Sequence, residues 1–343
     1  MKIYKKMVLY DFPADDNFPL TKALNLNKNS EWHSVGIKGD NTSPFKVHIR
    51  FFIVPLKLLF HIKKIKCVVT WQQFYGLVLS CYCRLFRIEK IKITVLTFIY
   101  KEKKGVAGKL FNSLIKFAIE SNSVDRLICF SKNESDYYKK IFPKAANKFC
   151  STSFGVKDET DFALTAFPSR PPNDGGYIVS VGRSNRDYAF LINALHGTTY
   201  KLKIVCDSLN KDSQENIEVL KDISYGEELY RVILNSYCVV IALNDIHISA
   251  GQFVFIQAMM LGKPIIVTET DTLENYVIDG DNGFIIEKRA EELINAIEKL
   301  LDLDTYNRMS HNARYNYEQY FTIEAMCKNI AKIIENKTEQ IGI

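Results

Sequence analysis

Short runs of apolar, often β-branched residues alternate along the chain with longer stretches in which apolar positions recur every three or four residues. A strand buried on both faces needs the first pattern and a helix lying on a sheet needs the second. Their alternation predicts βαβ units and parallel sheets. In the first half the pattern predicts strands over residues 7–10, 67–70, 92–98 and 126–130, with helices over 75–86, 109–121 and 134–141. The alternation stops between residues 154 and 176, where 167–176 hold three Pro and two Gly, a composition that neither a helix nor a central strand accepts. It restarts with strands over 177–181, 202–206, 238–242, 264–268 and 283–286, and with helices over 188–195, 253–261, 290–301 and 306–320. Residues 323–336 form a last predicted helix with one apolar side, which needs a surface to cover.

The length of 343 residues suits two such bodies better than one. The expected fold class is therefore α/β, with two Rossmann-like, doubly wound parallel-sheet domains over 1–165 and 166–320 and a terminal segment, 321–343. Apolar residues at 47% and charged residues at 24% exclude a disordered, collagen-like or coiled-coil chain. The eight cysteines are scattered through apolar runs without CxxC or zinc-ligand spacing, so they read as buried free thiols in a reducing compartment.

Charge divides the halves. Residues 1–150 carry 27 Lys and Arg against 11 Asp and Glu, a net of +16, whereas 151–343 carry 18 against 28, a net of −10. A basic half points to an anionic partner: a membrane surface, a phosphorylated ligand or nucleic acid. Nucleic acid is disfavoured, because no aromatic-plus-glycine binding module accompanies the charge. The first residues contain no signal-peptide core, and the longest apolar stretches, 74–83 and 232–243, fall short of the roughly 20 residues that span a bilayer. A cytoplasmic protein is expected. The stretch 51–66 mixes large apolar with basic residues; it reads either as a segment lying in a membrane interface or as a surface helix packed on its sheet.

In open parallel sheets ligands bind beyond the carboxyl ends of the strands, so the loops after the strands carry the candidate chemistry. One is the loop from Ser180 to Tyr188, in which Gly182 is followed by Arg183 and Arg186. Two guanidiniums beside a glycine suit a diphosphate, and a solvated turn with Arg186 paired to Asp187 accounts for the same residues. The other runs from His247 through Ser249, Ala250 and Gly251 to Gln252 and enters an apolar helix, placing an N-cap and a close backbone approach at a helix start, where N–H groups bind anions. Gln257, inside that helix, needs partners for a buried amide and finds them in a ligand or in neighbouring backbone.

Gly182-Arg183 with the following Arg-Asp-Tyr, the block from Ser249 to Ile266, and the block from Tyr276 to Phe284 stand in the order and at the spacing of the donor domain of GT-B glycosyltransferases of the family-4 type, which the second half resembles. The first half resembles that family only by its strand order and by Gly155-Val156. The resemblance implies an acceptor-side first domain, a nucleotide-sugar donor domain and a last helix crossing back to the first. It implies a metal-independent hexosyl transfer (EC 2.4), retaining by family habit, from a UDP- or GDP-sugar to a saccharide or lipid-linked saccharide in bacterial surface polysaccharide synthesis. That sugar nucleotide is a co-substrate, and no other cofactor or metal is implied. Gly182, Arg183, Arg186, Ser249, Ala250, Gly251, Gln252 and Gln257 are the donor-binding positions it selects. With the +16 half, such an acceptor places the enzyme peripherally on the inner face of the cytoplasmic membrane.

Two departures stand out. The family's pair of Glu eight positions apart is here Ser249 and Gln257, and the His-containing loop of its first domain is here Thr70-Trp71-Gln72-Gln73-Phe74. No catalytic base is identified by the sequence. A homologue that keeps the fold as a nucleotide- or partner-binding scaffold is the alternative reading.

Overall fold

The computed structural model describes residues 1–26, 31–37, 43–160, 170–210, 213, 215–245, 251–270, 273 and 276–335. The described chain divides into two compact units, Met1–Thr152 with Cys327–Glu335, and Ser153–Met326.

The strands of the first unit are β1 (Lys6–Tyr10), β2 (His33–Gly36), β3 (Cys67–Thr70), β4 (Lys92–Val95), β5 (Val124–Cys129) and β6 (Phe149–Ser151), all parallel in the order β2-β1-β3-β4-β5-β6. Helices α1 (Pro19–Asn25), α2 (Pro44–Phe60), α3 (Gln73–Leu85), α4 (Gly105–Ile119) and α5 (Lys132–Ile141) connect them. Val68, Val69 and Leu9 are buried in the centre of the sheet, as their unbroken apolar runs require. The strand expected over 92–98 ends at Val95: Thr97 takes a left-handed backbone, φ 54°, and its hydroxyl donates to Trp71 O at 2.9 Å, which turns the chain out of the ladder. The 51–66 stretch is not one element. Its first part is the end of α2, and a short 3-10 turn, Ile62–Lys64, follows.

The second unit has strands β7 (Ile178–Val181), β8 (Leu202–Val205), β9 (Ile217–Leu220), β10 (Val239–Ile241), β11 (Ile265–Thr268) and β12 (Gly283–Ile286), parallel in the order β12-β11-β10-β7-β8-β9. Its helices are α6 (Tyr188–Leu195), α7 (Glu227–Leu234), α8 (Gln252–Met260), α9 (Ala290–Leu300) and α10 (Leu303–Asn316), and α11 (Ile323–Ile334) starts here and ends in the first unit. α10 starts earlier than expected because the Asp302 side chain accepts from Thr305 N at 2.9 Å and caps it; a π turn, Tyr317–Phe321, ends it.

The Tyr276–Phe284 block is structural: Asn282 accepts from Ile278 N and donates to Tyr276 O, closing the turn that feeds β12. Gly283 lies so close to Ile265 O that no side chain fits between β11 and β12 there. Gly155-Val156 bond to the start of α11: Val156 N donates to Phe321 O at 3.0 Å and Ile323 N donates to Val156 O at 2.9 Å. All eight cysteines are free thiols, five buried and three half-buried.

Candidate functional site

β7 has β8 on one side and β10 on the other, so the connections after β7 and β10 leave in opposite directions. A crevice opens at such a switch point, beyond the carboxyl ends of the strands. The two loops singled out from sequence are the ones that flank it.

The described parts of these loops are laced together. Asn185 Nδ2 donates to Asp245 O at 2.9 Å, and Asp245 N donates back to Asn185 Oδ1 at 2.7 Å. Asn244 Nδ2 donates to Arg186 O at 3.0 Å. Asn185 holds φ 56°, a conformation that Asn tolerates better than most residues, and its reciprocal pair with Asp245 helps to hold it there. Asp187 caps α6 through Phe190 N at 3.0 Å and pairs with Lys288 at 2.5 Å, and Lys288 also donates to Leu243 O. Burial pushes the Asp187 carboxyl up, but the Lys288 ammonium and the Phe190 N–H outweigh it and hold the group below its usual range.

The two arginines have different positions. Arg186 folds back on its own loop: Nε donates to Val181 O and Nη1 to Ser184 O, both at 2.9 Å, and burial pushes its pKa down. Neither the pairing with Asp187 nor an outward phosphate-facing pose is seen; Asp187 pairs with Lys288 instead. Gly182 makes the fold-back possible, since it has φ 125° and a Cβ there would lie 2.8 Å from Arg186 Nη2. Arg183 is exposed and lines a recess with Val181, Val205, Cys206, Asp207 and Tyr225 at the ends of β7 and β8.

α8 begins at Gly251, whose φ of 96° and close approach to the Phe255 ring, 3.0 Å from a built Cβ, admit no side chain. The N-cap is thus this glycine, and Ser249 and Ala250 lie outside the described residues. Gln252 Nε2 and both amide atoms of Gln257 are buried without a hydrogen-bond partner among the described residues. Burial pushes the Tyr230 phenol up, and the Gln257 amide beside it acts in the opposite sense, although the two groups are not within hydrogen-bond geometry. A buried amide with open valences is costly in an apolar helix, which makes Gln257 a position where a polar ligand group would be stabilised.

In the first unit the corresponding switch point lies at β1 and β3. Trp71 there packs edge-on to Phe12 and Phe18, all three half-buried, beside Asp11. Burial pushes the Asp11 carboxyl up against the opposing effect of Arg50. Gln72 caps α3 and Gln73 accepts from Ile99 N, so both amides serve the fold. Asp11, Tyr225, Asn185 and Lys288 were not singled out from sequence; only their positions just beyond strand ends or within connecting loops would have flagged them. Among the described residues no group of three or more His, Cys, Asp or Glu is placed to hold a metal ion, and no helix is long and apolar enough to cross a membrane.

Residues 163–316 match the family of glycosyl transferases group 1. No curated protein matches the sequence. Among solved structures, sucrose-phosphate synthase from Thermosynechococcus elongatus superposes with a TM-score of 0.67 at 15% identity, over 97% of this chain and 99% of that one. HepE from Anabaena, in complex with UDP and glucose, gives 0.60 at 13% over 97% and 100%. WaaG, a glycosyltransferase involved in lipopolysaccharide biosynthesis, gives 0.62 at 13% over 96% and 99%. At these identities the likeness is one of fold.

Proposed function

We propose, from the premise that residues 163–316 belong to the glycosyl transferases group 1 family and that the whole chain has the GT-B fold, that the protein transfers a sugar from a nucleoside diphosphate to a saccharide acceptor. The observation that carries this reading is the β7/β10 switch point, where the loops after the two strands are joined through Asn185, Asn244 and Asp245, with Arg183 in the recess beyond β7 and β8 and α8 starting at Gly251. As the glycosidic bond to the diphosphate breaks, the sugar becomes oxocarbenium-like and the departing phosphate gains negative charge. A guanidinium and helix-start N–H groups fixed beforehand near that charge stabilise the transition state more than the ground state. On this reading no metal is needed, the Tyr225 ring offers a face to the nucleoside base, and Gln257 meets the ribose. Arg186 acts by holding the loop that presents Arg183. The complexes of HepE with UDP and with UDP-glucose favour a uridine nucleotide.

The acceptor belongs to the first unit. Trp71, Phe12 and Phe18 supply apolar ring faces for a pyranose, and Asp11 supplies an acceptor for its hydroxyls. A lipid-linked saccharide in surface polysaccharide synthesis, met at an anionic membrane, fits the charge of this half.

Incubation of the purified protein with a panel of UDP- and GDP-sugars, with and without saccharide acceptors, tests the proposal: release of nucleoside diphosphate is expected with at least one donor. Nucleotide binding without turnover under every acceptor would instead favour a scaffold, the reading that Gln257 and Ser249 in place of carboxylates support.

A further inference from the structure

The outer surface of the first unit carries two rows of exposed apolar side chains that its own core does not use. On α2, Phe45, Ile49, Phe52, Leu56 and Phe60 recur at steps of four, three, four and four and so form one stripe, with Phe45 74% and Phe60 79% exposed. Val54 and Leu58, on the other side of the same helix, are buried in the core. α2 is thus apolar on both sides. On α4, Val106, Leu110 and Leu114 repeat the arrangement at steps of four, and Val106 is 89% exposed.

Strand order places these rows on one face. The connections β2→β3, β3→β4 and β4→β5 all step in the same direction across the sheet, so right-handed crossovers put α2, α3 and α4 side by side in one layer, with α3 between the other two. At helix spacings of about 8–10 Å the two stripes run roughly 20 Å apart, and α2 alone is about 25 Å long. Scattered exposed leucines are ordinary, whereas aligned rows on neighbouring helices mark a surface that meets something apolar.

Charge decides what that is. The sequence has no Asp or Glu between Asp40 and Glu89, a span that contains all of α2. Lys46, Lys57, Lys63, Lys64 and Lys66 are exposed on and after α2, and Lys101, Lys103 and Lys104 precede α4. A second copy of the chain packed on this face would bring basic rims together, which opposes association. Anionic headgroups would neutralise them while acyl chains cover the phenylalanines. We propose that the first unit docks on an anionic bilayer through α2 and α4, with Phe45, Phe52, Phe60 and Val106 inserted and the lysines at the headgroups. The assignment deepens the lipid-linked acceptor reading, but its test requires no turnover, so docking and transfer can fail separately.

Sedimentation of the full chain with phosphatidylglycerol/phosphatidylcholine vesicles and with phosphatidylcholine vesicles alone provides that test. Binding to the anionic vesicles, weakened by salt, is expected. Neutralising Lys63, Lys64 and Lys66 to Gln should weaken it roughly 100-fold, about fivefold per charge. Phe52→Ser/Leu56→Ser should weaken it at least about tenfold, with an unchanged circular-dichroism spectrum. Val106→Ser/Leu110→Ser on α4 gives an independent measurement should the α2 variant fold poorly. Absence of binding to anionic vesicles, or binding indifferent to both apolar pairs, overturns the proposal. So does a dimer by light scattering that Phe52→Ser/Leu56→Ser dissociates, since the face would then belong to a second copy.

Discussion

The contrast between Arg183 and Arg186 yields the sharpest prediction, because two arginines three residues apart are assigned opposite work. Arg183 is exposed in the recess beyond β7 and β8 and has no hydrogen bond or ion pair among the described residues, so Arg183→Ala should leave stability within about 0.5 kcal/mol of the parent. If its guanidinium meets a phosphate, the lost charge-assisted hydrogen bond is worth about 1.5–3 kcal/mol, or roughly a 10- to 150-fold weaker Kd for UDP. Arg186 donates two 2.9 Å hydrogen bonds to carbonyls of its own loop. Arg186→Ala removes both; the exposed Ser184 O turns to water, but the part-buried Val181 O is left short of a partner, at a cost of about 1–3 kcal/mol. In a unit of this size that lowers the Tm by roughly 2–12 °C. Isothermal titration with UDP and scanning calorimetry on the two variants measure both quantities. An Arg183→Ala variant that binds UDP as the parent does removes Arg183 from the site. An Arg186→Ala variant with parental Tm and weakened binding means that the guanidinium faces the ligand, and the fold-back reading fails.

Further expectations rest on other residues. Gly182→Ala forces a Cβ into the space of the Arg186 guanidinium at a positive φ, so it should destabilise by about 2–4 kcal/mol and mimic Arg186→Ala in a denaturant titration. Gln257→Leu removes buried polar atoms that lack partners among the described residues, so the Tm should hold or rise while affinity for UDP falls; affinity unchanged in titration would take Gln257 out of the donor site. Burial pushes the Lys263 ammonium down to about 8 from an ordinary 10.5, so between those values the unfolded chain binds the extra proton and stability rises with pH. Buried thiols act in the opposite sense as the pH approaches and passes 9, since Cys81 and Cys83 are pushed up to about 11 and Cys238 to about 12 when folded. The stability difference between the parent and Lys263→Met, in which the thiols cancel, should therefore shift in the parent's favour by about 1 kcal/mol from pH 7.5 to 9 in urea titrations.

What the hydrophobic pattern revealed and what it hid divide along burial. β3, β12 and α6 fall at the expected residues because each is a continuous apolar run with a sharp end. β2, β6 and β9 were not anticipated, and all three are edge strands. In β2 only Val35 is buried, and in β9 only Ile217, so neither leaves the apolar run by which a central strand is recognised. α1 and α7 are seven and eight residues long, too short for a periodic signal to stand out. At the site, the two loops and Gly182 were legible because a switch point needs them. The division of labour between Arg183 and Arg186 was not: it depends on a side chain turning back across five residues to Val181 O, and spacing is silent on such a turn.

The paired hydrogen bonds between Val156 and the Phe321–Ile323 segment mean that the chain enters and leaves the second unit at one point. The second unit is in effect an insert of about 170 residues whose ends are zipped. Bringing the ends of so long a flexible loop together costs about 4–5 kcal/mol of chain entropy. Once the insert has folded that cost is already met, and Cys327 re-enters the first unit as if it were joined to Thr152 by a short tether. The order of events in folding is thereby biased: the insert closes first, and the end of α11 completes the other unit as an almost local step.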